Sequence, residues 1–136
     1  MSGPGNYNQA VIEKFRANGG KVDGPNRLIL LTTTGAKSGQ PRLAPVAYST
    51  DGDRLVIIAS KGGAPTNPDW YHNLLAHPIV TVELGTEQFQ ARASTVVDDQ
   101  EYERLYTQHA TLMPGFAEYR KKTTRKIPVV ILERTS

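Results

Sequence analysis

Apolar and polar residues change their spacing repeatedly along the chain, and each change marks a structural element. Over residues 8–17, Val11, Ile12 and Phe15, with Tyr7 just ahead, recur at helical spacing. Asn18-Gly19-Gly20 then supplies a stop, because glycine accepts the left-handed cap conformation. Residues 27–34 (RLILLTTT) form a short run rich in β-branched side chains that ends at Gly35, which predicts a strand. Residues 35–41 (GAKSGQP) are dense in turn formers and predict a tight loop. The strand pattern resumes over 42–50, where Pro45 demands an edge or a bulge. Asp51-Gly52-Asp53 predicts a hairpin into the nearly continuous apolar strand 54–60.

Residues 61–66 (KGGAPT) read as a flexible loop. Asn67 suits an N-cap, Pro68 the first helical position and Asp69 the positive end of the helix dipole. That helix carries Trp70, Tyr71 and Leu74 and stops near His77-Pro78. Residues 79–84 and 88–97 predict a hairpin around Gly85-Thr86. Asp98 with Glu101 resembles a capping box, and Tyr102, Leu105, Tyr106 and His109 recur at helical spacing behind it. Met113-Pro114-Gly115 interrupts, a short helix through Phe116 and Tyr119 follows, and 127–132 closes as a strand. About six strands, mostly joined by hairpins, predict an α+β fold: an antiparallel β-barrel with peripheral helices. Strands and helices do not alternate regularly, which argues against a doubly wound parallel sheet. The whole of 1–136 reads as one domain, with about residues 1–8 as a flexible N-terminus.

The length suits this reading, since 136 residues can bury roughly two thirds of their unfolded surface around a single core. The absence of cysteine excludes a disulfide framework, thiol catalysis, iron–sulfur clusters and Cys-ligated zinc. No apolar run approaches a membrane span, and the first residues lack the charged-then-apolar order of a signal peptide. A cytoplasmic protein is expected. Tyr7, Val11 and Phe15 offer the first helix a weak, peripheral contact with the inner face of a membrane, although only Lys14, Arg16 and Lys21 lend it charge. The net charge of +3 is too mild for a dedicated nucleic-acid binder, but cations gather at 37–42, at Lys61 and at 120–126. That clustering suits an anionic ligand or, equally, a solvated basic face.

The loop after the first strand holds the most chemistry. Thr32, Thr33, Thr34, Lys37, Ser38, Gln40 and Arg42 bring hydroxyls, backbone N–H groups and two cations together. Successive N–H groups in a glycine-rich turn can cradle an anion. At about 1.5–3 kcal/mol per charge-assisted hydrogen bond, three or four contacts hold one phosphate at around micromolar strength. A solvated hairpin turn is the plain alternative. A nucleotide-hydrolysing P-loop is excluded, because Pro41 and Pro45 forbid the helix it requires. No Gly-x-Ser-x-Gly elbow exists, and His72 and His77 are spaced for neither a metal pair nor an acidic cluster. No metal is expected. Cation-bearing loops and aromatics without an evident nucleophile suit a reaction carried by a bound cofactor.

The order of motifs is more specific. Leu31-Thr-Thr-Thr-Gly-Ala-Lys-Ser-Gly-Gln-Pro-Arg42, Asp51-Gly-Asp-Arg-Leu55, Ala59-Ser-Lys-Gly-Gly-Ala64 and Asn67-Pro-Asp-Trp-Tyr-His-Asn73 closely resemble the deazaflavin-dependent nitroreductase family over about residues 10–134. The resemblance implies a split β-barrel oxidoreductase that uses coenzyme F420, whose reduced form delivers a hydride to a bound small-molecule acceptor, planar and electron-poor, such as a quinone, enone or nitro compound. It implies that Lys37, Ser38, Gly39, Gln40 and Arg42 form the phosphate-binding loop. Ala59, Ser60, Lys61 and Gly62 would lie beside the deazaflavin ring and its anionic tail, and Pro68, Trp70 and Asn73 on the helix that packs on it. Trp70 equally suits a core anchor. Ser60 would orient the ring, and Tyr119 would donate a hydrogen bond or proton to the acceptor. Ala36 replaces a basic residue common in the family's loop. Positions that carry tyrosines in the family's nitroimidazole-activating member read Ala47, Met113, Phe116 and Tyr119 here. They imply an apolar, adaptable acceptor wall, better suited to a quinone or activated alkene than to a bulky nitroimidazole.

Three alternatives stay open at this level: a split-barrel enzyme carrying FMN, a non-catalytic deazaflavin or lipid carrier, and a single-strand nucleic-acid surface. The last is disfavoured, since the strands offer only Tyr48 and Phe89 for stacking. A homodimer is expected by analogy with related barrels.

Overall fold

The computed structural model describes residues 4–21 and 27–135, with the side chains of residues 4–8 outside that description. Its elements run α1 (Pro4–Ala17), β1 (Leu28–Thr34), β2 (Pro41–Asp51), β3 (Arg54–Ile58), a single 3-10 turn (Lys61–Gly63), α2 (Asp69–Ala76), β4 (Ile79–Leu84), β5 (Glu87–Thr95), α3 (Asp99–Leu112), α4 (Gly115–Lys122) and β6 (Val129–Arg134). The six strands close into a barrel in the order β1-β2-β3-β6-β5-β4, every neighbour antiparallel. The expected α+β barrel with outer helices is the observed fold.

Strand parity explains the patterning. Ile29, Leu31, Leu55, Ile57, Val80, Val82, Ala91, Ala93, Val130 and Leu132 fill one cluster inside the barrel, and Tyr71 and Leu74 of α2 plug it. Alternate residues face outward: Val56, Ile58, Val129 and Ile131 are covered by Tyr102, Leu105 and Tyr106 of α3 and by Phe116 of α4. The strand from Arg54 therefore reads as continuously apolar because both of its faces are buried. Leu30, outward on β1, lies under Ile12 and Phe15 of α1.

Several expectations shift. α1 begins at Pro4 rather than Asn8, so the N-terminal stretch expected to be flexible is helical from residue 4, and residues 1–3 lie outside the described residues. Its end is as expected: the Gly20 amide reaches the Phe15 carbonyl at 2.7 Å, a Schellman closure. Phe15 is 1% exposed, so the apolar face of α1 packs on the barrel instead of a membrane, and Tyr7 lies outside the described side chains. Among the described residues no helix is long and apolar enough to cross a membrane. Pro45 pairs with Leu30, on the stretch of β2 whose other flank lies before β3 pairing starts at Tyr48. A missing N–H is harmless there. Asp98 caps α3 by accepting from the Glu101 amide at 2.9 Å, but the Glu101 carboxylate turns to Arg104 instead of completing a capping box.

Antiparallel pairing sorts the connections. The β1–β2 loop, the segment from β3 to α2, the entry to β4, the exit from β5 and the link into β6 all lie at one end of the barrel. The β2–β3 and β4–β5 hairpins lie at the other.

Candidate active site

Two of the loops at the first end carry the residues singled out in the sequence. In the β1–β2 loop the Gly35 amide donates to the Gln40 carbonyl at 2.8 Å and the Gly39 amide to the Gly35 carbonyl at 2.9 Å. The Ser38 hydroxyl accepts from the Gln40 amide at 3.2 Å and from Arg42 Nη2 at 3.4 Å. Lys37, Ser38, Gly39, Gln40 and Arg42 are all exposed. Asn73, buried on α2, holds this loop from beneath. Its Oδ1 accepts from the Ala36 amide at 2.9 Å and its Nδ2 donates to Thr33 Oγ1 at 3.1 Å. Its side-chain amide thus fastens α2 to the loop rather than facing outward.

The second loop leaves β3 at Ala59 and turns at Lys61–Gly63. Lys61 is the one non-glycine residue with positive φ among those described, at 49°. Such a conformation costs about 1–3 kcal/mol and persists only where surrounding contacts impose it. Arg125, in the link between α4 and β6, supplies those contacts. Its Nη2 donates to the carbonyls of Ala59 and Ser60 at 3.1 and 3.0 Å, its Nε to the Ala64 carbonyl at 3.0 Å, and its Nη1 to Asn67 Oδ1. This loop is therefore pinned, not flexible. Asn67 is engaged by Arg125, and Pro68 takes the N-cap of α2 with no side-chain cap. Gly63 lies against α4 so closely that an added Cβ would come within 2.9 Å of Lys122 Cβ and 3.1 Å of the Tyr119 carbonyl. Pro68 is buried, and half-buried Trp70 packs on the barrel interior, which favours its reading as a core anchor.

Ala47, Met113, Phe116 and Tyr119 do come together, in the cluster beneath α3 and α4. Met113 and Phe116, however, are only 2% and 6% exposed. They are packed into the apolar cluster beneath α4. Ala47 and Tyr119 remain partly exposed. The Tyr119 ring meets Phe116 edge-on with centroids 5.1 Å apart. Neither its hydroxyl nor that of Ser60 has a hydrogen-bond partner among the described residues.

Behind Phe116 sits a buried polar pair that the sequence pattern did not reveal. His109 is 0% exposed, its Nδ1 lies 2.7 Å from Ser49 Oγ, and its Nε2 has no partner. Burial pushes its pKa down to about 4. At helical spacing it was indistinguishable from a core-facing aromatic.

Charge divides along the barrel. At the hairpin end Asp51 is shared by Arg104 and Arg54, and Arg104 also holds Glu101. On the outer flank an open depression of about 390 Å³ is lined by Asp99, Tyr102, Glu103, Arg120, Arg125 and Lys126. Its Arg120 and Lys126 are matched by Glu103 and Asp99. Among the described residues Lys37, Arg42, Lys61 and Lys122 form no ion pair with a carboxylate. Lys61 Nζ only reaches Thr66 Oγ1 at 3.3 Å. These four cations all lie toward the loop end of the barrel. No cluster among the described residues could hold a metal ion.

Comparison with known proteins agrees with this fold. The family model described as F420H(2)-dependent quinone reductase matches residues 7–134. The F420H(2)-dependent quinone reductase Rv1261c of Mycobacterium tuberculosis (strain ATCC 25618 / H37Rv) is 42% identical over 118 residues, which cover 85% of this chain and 79% of that protein. A solved structure described as an F420-H2 dependent reductase (FDR-A) is 37% identical with a TM-score of 0.72, covering 82% of this chain and 96% of its own. Another, described as a domain-swapped dimer, is 33% identical with a TM-score of 0.73, over 96% of this chain and 100% of its own. This chain belongs to the F420H(2)-dependent quinone reductase family.

Proposed function

We propose that the chain uses reduced coenzyme F420 to reduce a quinone, bound at the loop end of the barrel between the β1–β2 loop, the Lys61–Gly63 turn and α4. The observation that carries this reading is the exposed, unneutralised charge of Lys37, Arg42 and Lys61 on two loops at the same end. It fits a planar cofactor with an anionic tail. When bound, the reduced deazaflavin supplies a hydride; a quinone that accepts it also takes up one proton to become the hydroquinone.

The protein's share is binding and orientation. Lys37 and Arg42, with the Ser38 hydroxyl, hold the phosphate, and Lys61 the tail. Ser60 offers an unpartnered hydroxyl to the ring's polar edge. Tyr119 offers its free hydroxyl to the acceptor oxygen on which negative charge develops, and the proton follows from solvent or from that hydroxyl. Holding hydride donor and acceptor in contact removes much of the entropic barrier. The domain-swapped relative supports a homodimer for this chain, which light scattering would check.

Oxidised F420 and FMN, titrated side by side by fluorescence, test the reading. The wild type should bind the deazaflavin in preference. Lys37→Ala and Arg42→Ala should each weaken binding about tenfold or more, at about 1.5–3 kcal/mol per charged contact. Their melting temperatures should not change, because both side chains are exposed. Anaerobic mixing with a soluble quinone should reoxidise the reduced coenzyme. Preference for FMN, or unchanged affinity in both variants, would overturn it.

A further inference from the structure

We propose that Arg125 is a positioning residue of the cofactor loop: it fixes which face of residues 59–64 shows carbonyls and which shows amides and cations. The proposal rests on the deazaflavin reading of this end of the barrel, and deepens it.

The guanidinium collects three backbone carbonyls, those of Ala59, Ser60 and Ala64, and the side chain of Asn67. In a planar trans peptide the N–H points opposite to the C=O. With the Ser60 carbonyl drawn to Arg125, the Lys61 N–H is turned to the other side of the loop. The Ser60 carbonyl also accepts from the Gly63 amide at 3.0 Å, and the Lys61 carbonyl from the Ala64 amide at 3.2 Å, so the turn is closed around the same arrangement. The positive φ of Lys61 is the conformational strain that this closure requires. Gly63 then rests on Tyr119 and Lys122, so the clamp also sets the spacing between the ring-side loop and the helix that carries the acceptor-side hydroxyl.

Charge supports the same role. Arg120 and Lys126, on the same depression, are neutralised by carboxylates, whereas Arg125 faces only carbonyl oxygens. Its positive charge lies directly behind the loop, where it favours an anionic or electron-accepting edge on the other face. Without Arg125 the Ala59 carbonyl loses its side-chain donor and the Ser60 carbonyl keeps only the Gly63 amide, so both can rotate outward and present negative dipoles to an anionic ligand. Lysine is no substitute, because an ammonium lacks the planar fork that reaches four acceptors at once.

The full-length protein tests this with Arg125→Lys and Arg125→Ala. Hydrogen exchange of the apo forms reads the clamp without any cofactor: amides of residues 59–67 should exchange faster, while those of the barrel strands keep wild-type protection. Fluorescence titration with oxidised F420 should show binding weakened about 10- to 100-fold, the scale on which a remote change misplaces a bound reactant. At saturating reduced coenzyme, turnover of a soluble quinone should fall less than affinity does. Free alkylguanidine, able to enter the depression, should restore part of the affinity of Arg125→Ala and none to the wild type. Uniformly faster exchange throughout the barrel would reduce Arg125 to a stability residue and overturn the proposal. So would faster exchange at 59–67 with unchanged F420 affinity. A wild type that ignores F420 would instead overturn the deazaflavin reading, and the exchange result would still report on the clamp.

Discussion

Acid should unfold this protein through His109 before its carboxylates take part. Unfolded, the imidazole protonates near its ordinary 6.5, whereas burial without a charge partner holds the folded value down to about 4. Between those values the unfolded chain binds the extra proton, so stability is complete above about pH 6.5 and falls as the pH drops toward 4. At about 1.4 kcal/mol per pH unit, that interval corresponds to about 3 kcal/mol, a large share of the roughly 5–15 kcal/mol typical of a domain. For a chain of this size it amounts to about 10 °C in melting temperature. Below pH 4 the ion pairs follow. Arg104, then Arg54, hold Asp51 down to about 2, so its contribution is present above its ordinary 3.8 and is lost as pH falls through 2. Urea unfolding followed by the single Trp70 at half-unit pH steps separates the two phases. The control is Ser49→Ala/His109→Leu, which removes both partners and the orphaned Nε2 together. Removing a buried pair whole avoids stranding either group, so this variant should match or exceed wild-type stability at pH 7.5. It should lose the slope between pH 6.5 and 4. His109→Leu alone strands the Ser49 hydroxyl and should be less stable than the double variant by about 1–3 kcal/mol. A double variant that keeps the wild-type slope would refute the assignment. Because His109 packs edge-on against Phe116 at 4.5 Å, the same protonation should loosen α4 and the acceptor side of the site first.

Two further substitutions separate the ends of the barrel. Asn73→Ala strands the Ala36 amide and the Thr33 hydroxyl; it should cost about 1–3 kcal/mol by urea unfolding and also weaken F420 binding in a fluorescence titration, since the loop loses its support. Gly20 has φ +89° and a position where a Cβ would fall 2.3 Å from Gly85 Cα. Gly20→Ala should therefore cost at least about 2 kcal/mol in thermal unfolding while leaving cofactor affinity unchanged, because that contact lies at the hairpin end.

The pattern of the chain carried the barrel because its determinants are local. Gly52 and Gly85 sit in two-residue hairpin turns, the alternation of β5 is exposed on one face, and Gly19-Gly20 closes α1, all within a few residues of the elements they end. The loops proposed to bind the cofactor stood out for the same reason: glycines, hydroxyls and cations lie side by side in 35–42 and 59–64. What fastens those loops was not. Asn73 reaches across 37 positions to Ala36, and Arg125 across 58 to 66 positions to its four acceptors. In the sequence Arg125 is one cation in a basic run, and Asn67 beside Pro68 reads as a cap. Only the closed barrel, which brings the β3 exit and the β6 entry to one end, gives the arginine its carbonyls and withdraws the asparagine from the helix. Burial of Met113 and Phe116 was hidden in the same way, since an apolar residue on a short helix reads alike whether it lines a pocket or fills a core. On the proposed reading, loop composition points to the ligand's chemistry, and the distant partners determine whether the loop holds its shape. Substitutions at those partners, Arg125 above all, should alter affinity without touching any ligand-facing group.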